Sequence, residues 1–242
     1  MRKSIVTAII AASTAVSACG HTRSEDGGPT VARNYQVGGF DQIEVAGPYN
    51  VTVRTGPGPS VAARGPQKMV DHMVVEVRGG KLLIHPERQR SWFGGGWHFR
   101  GQVDLAVTVP QLRGASIAGS GDVAVDHIKG DAFEGTVAGS GGLDVGTLDV
   151  QNLKLAIAGS GGAKARAGRA QSAKFDIAGS GDIDARGVQA QTADVSIAGS
   201  GSISANASGT AAVSIMGSGD VDVTGGAKCS ISKAGSGDVR CS

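Results

Sequence analysis

Residues 116–125 read SIAGSGDVAV, and the AGSG at their centre returns at 138–141, 158–161, 178–181, 198–201 and 234–237, with GSG alone at 217–219. The first glycines of the motif are Gly119, Gly139, Gly159, Gly179, Gly199, Gly217 and Gly235, spaced 20 residues apart four times and then 18 apart twice. A fixed period near this length marks a solenoid, in which each repeat covers its apolar face with its neighbours. Inside the period, apolar and polar residues alternate with period two, the pattern of a strand with one buried face. Two residues ahead of the motif stand Ile117, Val137, Ile157, Ile177, Ile197 and Ile215. Beyond it come Val123, Leu143, Ala163, Ile183, Ile203, Val221 and Val239, and two further on Val125, Val145, Ala165, Ala185, Ala205, Val223 and Cys241. Each period therefore reads strand, tight turn, strand and return. The expected fold is all-β, a right-handed parallel β-helix (β-solenoid) with coils of about 20 residues. Composition agrees, because 40 glycines and few aromatics among 242 residues suit thin layers of Val, Ile, Leu and Ala.

The repeated glycine motif invites two ligand readings, and its context excludes both. A phosphate loop opens a helix and commonly carries Lys-Ser or Lys-Thr after its glycines. Here the turn opens a strand. Calcium in a parallel β-roll is held by nine-residue repeats with an Asp in each, and needs six or more oxygens. The positions after GSG run Asp122, Gly142, Gly162, Asp182, Ser202, Asp220 and Asp238, which leaves gaps in any carboxylate ladder. The motif reads as the corner of a coil, and no metal or cofactor is expected. Outward positions such as Asp144, Lys164 and Asp184 alternate in sign, as do Glu134 with Lys154 and Lys174 with Asp194. Such ladders avoid like-charge repulsion and read as a solvated face.

The N-terminus is of a different kind. Arg2 and Lys3 precede an apolar run from Ile5 to Val16, and Val16-Ser17-Ala18 leads into Cys19. Residues 1–18 are expected to be a signal peptide. The sequence VSAC resembles the lipobox of bacterial lipoproteins, which implies lipidation at Cys19 and attachment to a membrane through it. Gly20 in the next position, by resemblance to Gram-negative sorting patterns, implies the outer membrane. Residues 19–36 are expected to form the lipidated N-terminus and a flexible tether, followed by the β-helix over 37–242. Within it, 37–112 should form irregular coils and 113–242 the regular repeats. IEVAGPYNVTVRTG, from Ile43, aligns with FDIAGSGDIDARG, from Phe175, as a divergent coil with Pro48 in its turn. MVVEVRGGKLLIHP reads as two strands about a Gly79-Gly80 turn, and Pro110 as a corner. Removing residues 1–18 leaves 21 basic and 21 acidic side chains, so no positive excess points to nucleic acid.

The stretch VTVPQLRGASIAGSGDV, the GSG repeats after it and the upstream FDQIEVAGPYNVTVRTG resemble the bacterial "putative auto-transporter adhesin, head GIN domain" family over roughly residues 40–241. The resemblance implies a β-helical fold and an envelope-associated, secreted or lipid-anchored protein.

Chemistry-bearing residues are sparse. The histidines, His21, His72, His85, His98 and His127, lack metal-ligand spacing, and no Ser-His-Asp arrangement stands out. Paired carboxylates such as Asp182 and Asp184 share a strand face without a converging histidine. The expectation is a protein that is not an enzyme and has no catalytic residues. Cys229 and Cys241 lie six residues either side of Gly235 and are expected to join in a disulfide closing the end of the solenoid. The segment RQRSWFGGGWHFRG holds Trp92, Phe93, Trp97 and Phe99 between arginines, and is a candidate contact loop or a hydrophobic plug. The function expected is a lipid-anchored cell-envelope module for adhesion, contacting an envelope protein or glycan. The alternatives are a structural or envelope-stress accessory lipoprotein of the periplasm and, third, a carbohydrate-active enzyme. The sequence leaves the oligomeric state open.

Overall fold

The computed structural model describes residues 25–87 and 99–242. In chain order the strands are β1 (Glu25–Asp26), β2 (Thr30–Tyr35), β3 (Gln42–Ala46), β4 (Tyr49–Thr55) and β5 (Ser60–Pro66), followed by one helix, α1 (Gln67–Asp71). Then come β6 (Met73–Arg78), β7 (Lys81–Pro86), β8 (Phe99–Arg100), β9 (Val103–Val109) and β10 (Gly114–Gly119). The repeats follow as β11 (Asp122–Gly139), β12 (Gly142–Gly159), β13 (Gly162–Gly179), β14 (Asp182–Gly199) and β15 (Ser202–Gly217). The last coil is β16 (Asp220–Thr224), β17 (Lys228–Gly235) and β18 (Val239–Cys241). The repeat strands are parallel and stacked in register, with Ile117 over Val137, Val137 over Ile157, Ile157 over Ile177 and Ile177 over Ile197. The parallel β-solenoid expected from the period is therefore present.

The period-two alternation places every second side chain in one continuous apolar core. No polar or charged residue is buried among the described residues. The coils share this space by complementary volumes. Phe133 is followed by Gly135, where a Cβ would meet Leu143 and Leu155. The next coil holds Leu153 and Leu155 in register with them, and the one after holds Ala173 and Phe175. A large side chain in one coil thus stands beside a small one in the next, which keeps interior packing dense without strain. Between β14 and β15 the register shifts, and the coil shortens from 20 residues to 18.

The GSG corner has a steric reason. At Gly179 φ is +133°, and a Cβ there would collide with the Gly159 carbonyl oxygen one coil below. That oxygen accepts the Ser180 N–H at 2.8 Å, so the turns are themselves stacked by hydrogen bonds. The second glycine of each motif makes an equally close approach, as where Gly181 overlies the Gly161 carbonyl.

The N-terminal part departs from the expectation. Ile43 and Val45 do take the place of a coil, in register with Ala115 and Ile117, and Val51 pairs with Val123. Gly79 and Gly80, both at positive φ, turn β6 back on β7 as an antiparallel hairpin. Within residues 37–112, β3 with β4 and β7 with β9 stack parallel as two irregular coils, and antiparallel strands cover them. On one wall β4 continues into β9, which pairs antiparallel with β5, and β5 with β2. On the other wall β3 continues into β7 and β6. Helix α1 contributes buried Met69 and Val70 at the same end. The flexible tether expected over 19–36 is corrected in the same way, because Thr30–Tyr35 is strand β2. Val31 and Tyr35 pack against the core, and Arg33 pairs with Asp71 beside α1. Residues 1–18 and Cys19 lie outside the described residues.

At the other end the expected disulfide is formed. Cys229 stands in register with Ala211 and Cys241 with Val223, on opposite walls, and the bridge spans 6.6 Å between their Cα atoms. It closes a 12-residue separation, for which loop entropy predicts a contribution of about 3 kcal/mol. Because each coil leans mainly on its neighbours, reduction should act locally. Hydrogen exchange should accelerate in β17 and β18 and stay unchanged in β11–β13; uniform acceleration through the array would contradict this.

Candidate functional site

The wall formed by β4, β11, β12, β13 and β14 carries its outward side chains in two rows. One row, beginning at the residue after each turn, runs Asn50, Asp122, Gly142, Gly162 and Asp182. The second, two residues further on, runs Thr52, Ala124, Asp144, Lys164 and Asp184. Gly142 and Gly162 place no side chain between Asp122 and Asp182, which leaves a depression of about 550 Å³ floored by backbone and Ala124. The cap adds to it. Ala106 pairs with Thr52 on one side and Ala62 on the other. A second depression of about 420 Å³ lies over Ala62 and Ala106 and shares Thr52 with the first. Together they form a trough that crosses seven strands, from β5 to β14, a length of roughly 30 Å at about 4.8 Å per strand.

Its walls are charged and largely self-neutralised. Arg166 pairs with Asp144 across one coil, and Arg186 donates to Asp184 from Nε at 3.0 Å and Nη2 at 2.9 Å. Lys164 Nζ lies 3.8 Å from Asp184. These bonds, those from the Arg186 side chain foremost, hold the Asp184 carboxyl below the ordinary aspartate range. The hydrogen bond to Asp144 raises the Arg166 guanidinium in turn. Asn50 donates to Asp104 at 3.2 Å. The alternating ladder expected at Asp144, Lys164 and Asp184 is thus real, and its pairs are solvated as expected. What the sequence reading missed is the concavity beside it. Its signal in the sequence is the Gly142-Gly162 gap, which leaves two successive coils without an outward side chain in this row.

The remaining candidates do not converge. Asp182 and Asp184 sit on one strand face, where Asp182 accepts the Ser202 N–H at 3.1 Å and Asp184 is engaged by Arg186. His72 faces Glu87 at 3.3 Å, His85 faces Glu76 at 3.6 Å, and His127 contacts the Thr147 hydroxyl at 2.8 Å, all in different places. Among the described residues no group of three His, Cys, Asp or Glu side chains is placed to hold a metal ion. Trp92, Phe93 and Trp97 of the candidate contact loop lie outside the described residues. For Phe99 the backbone alone is described, in β8, paired with β1. Nor is any described helix long and apolar enough to cross a membrane.

Comparison with known proteins agrees with this architecture. The crystal structure of a putative adhesin from Bacteroides fragilis NCTC 9343 superposes with a TM-score of 0.79 at 25% identity, covering 88% of this chain and 97% of that one. A putative lipid binding protein from Parabacteroides distasonis ATCC 8503 does so with a TM-score of 0.73 at 26% identity, over 90% of this chain and 98% of that one. A putative adhesin from Parabacteroides merdae ATCC 43184 shares the fold, with a TM-score of 0.61 at 17% identity over 90% and 98% of the two chains. No protein with a curated description matches the sequence. The profile of one family matches residues 39–227, most of the chain. With the in-register GSG corners and the solenoid they build, that match places this chain in the family described as putative auto-transporter adhesin, head GIN domain.

Proposed function

We propose that this protein is a non-catalytic contact module of the cell envelope, held to the outer membrane through lipidated Cys19 and presenting the long solenoid wall to an envelope protein or glycan. The observation that carries the reading is the trough. It is long, shallow and open, the Asp144 and Asp184 carboxylates along it are already paired with Arg166 and Arg186, and its floor is alanine, threonine and glycine backbone. A catalytic cleft concentrates perturbed, unpaired acids and bases at one point. This surface spreads hydrogen-bonding groups along a line, as recognition of an extended partner requires. The adhesin descriptions of the relatives and of the family support the same reading.

Gly162 supplies the test. Its φ is ordinary and a Cβ there would have open space, the nearest atom being the Asp182 carbonyl oxygen at 3.8 Å. A Gly162→Trp variant should fold as the parent does, filling the trough with the ring. Binding of the full chain to isolated cell envelopes and to a panel of linear polysaccharides should weaken at least about tenfold in the variant, by the energy of one lost anchor contact. Equal binding by both proteins would remove the trough from the reading. Release of shortened polysaccharide by the parent would overturn its non-catalytic part.

A further inference from the structure

The two walls of the solenoid reach the N-terminal end with unequal numbers of strands. Beyond β11 one wall adds β4, β9, β5 and β2. Beyond β10 the other adds β3, β7 and β6. Among the described residues no strand stands opposite β2, and the wall that ends on β6 is one strand short. Helix α1 does not fill the place. It leans on β2 and β5, and Arg33 of β2 holds it through the Val70 carbonyl and the Asp71 carboxylate.

The inequality shows in the burial. On the longer wall β2 covers β5, and the inward Val61 and Ala63 are each 2% exposed. On the shorter wall β6 covers Leu82 and Ile84 of β7 completely. Val75 and Val77 of β6, in register with them, pack on the core from one side and stay half-buried. The backbone agrees. The Glu87 N–H donates to the His72 carbonyl at 2.7 Å, so the even-numbered residues of β6 exchange bonds with β7 in this antiparallel register. The N–H and C=O groups of Val75 and Val77 therefore point away from β7, to the open edge.

The two edges are also guarded differently. On β2 the residue in register with buried Ala63 is Arg33, an inward charge of the kind that keeps an edge strand from pairing. β6 reads MVVEVR, and its inward positions Met73, Val75 and Val77 carry no charge and no proline.

We propose that the β6 edge is a strand-addition site for a partner polypeptide. One extended segment of the partner lies beside β6, bonds to the Val75 and Val77 backbone and covers their side chains, completing the layer opposite β2. The segment that fits has apolar side chains at alternate positions. Between them it places a neutral or basic residue opposite Glu76, where an acid would meet like charge. Its outer side chains run beside a depression of about 620 Å³ lined by Val74, Leu83 and His85. Two copies joined β6 to β6 about a two-fold axis would overlap at β2 and β5, because the longer wall projects one strand further. The place therefore takes a single strand. It lies on the wall opposite the trough and does not depend on it.

The test follows amide hydrogen exchange of the full chain with an excess of a synthetic peptide in which valine alternates with threonine and lysine. The Val75 and Val77 amides should slow at least about tenfold, and those of β2 should not change. The same peptide with proline in place of its central valine should have no effect. Val77→Lys, which gives β6 the guard that Arg33 gives β2, should abolish the slowing at Val75. Val75→Pro removes an outward N–H without touching the bonds to β7, and its Val77 amide decides if melting shows that Val77→Lys is unfolded. Unchanged amides in the parent overturn the proposal, and so does equal slowing at β2. A folded variant that takes the peptide as the parent does also overturns it. So do Val75 and Val77 amides that are already slow without peptide, the mark of an edge covered by the chain itself or by a second copy.

Discussion

Replacing Phe175 by alanine should destabilise the solenoid by about 3–5 kcal/mol, at the upper end for a core substitution. The reason lies in the composition of its coil. In β13 the other buried inward side chains are Ala163, Ala165, Ala170, Ala173 and Ile177. Phe175 is 2% exposed and fills most of the width of that layer, between Leu155 below and Val195 above. Alanines cannot extend into the space it leaves, and the backbone ladder on both sides resists collapse. The array should weaken at this layer in particular, so that β14–β18 loosen before β11 and β12. Urea unfolding followed by circular dichroism, with hydrogen exchange to place the break, measures both effects. A loss below about 1 kcal/mol would mean that the layer repacks, contrary to the volume argument.

Gly179→Ala should be comparably severe, although it adds a single methyl group. The residue sits at φ +133°, where L side chains are strained by about 1–3 kcal/mol. Its Cβ also collides with the Gly159 carbonyl oxygen, the acceptor for Ser180. Relief requires the two coils to part at the corner, which stretches that bond and its neighbours. Gly162→Ala is the matched control, with ordinary φ and open space, and should change stability by less than about 0.5 kcal/mol. Thermal unfolding of the pair is the check. Equal melting temperatures would show that the corner yields, and that its glycines are not held there by stacking.

The contrast between these two glycines shows what sequence can and cannot convey about this molecule. Gly179 is legible because its position recurs with Ile177 before it and Ile183 after it, so the solenoid and its corners follow from period alone. Gly162 is legible only as a gap. Its meaning depends on Ala62 and Ala106 arriving beside Thr52, which needs the antiparallel pairing of β5 with β9, between segments that share no repeat. Helix α1 and strand β2 were missed for the same reason, since a cap is by nature the part that does not repeat. The disulfide was readable because both cysteines keep the inward parity of the strands around them.

The stacked architecture also sets how the molecule would carry a load. Successive coils are held by backbone bonds running along the rod, so tension at the C-terminus would draw chain from the end one coil at a time. Each coil released would add roughly 65–70 Å of extended chain. The Cys229–Cys241 bridge changes the first step, because force entering at Cys241 passes across the bridge to Cys229 and the loop between them contributes no length. The outermost coil would then come away as a knotless, closed loop, and the first slack would be supplied by residues ahead of Cys229. The staple thereby makes the coil it closes the part of the rod least able to lengthen under pull.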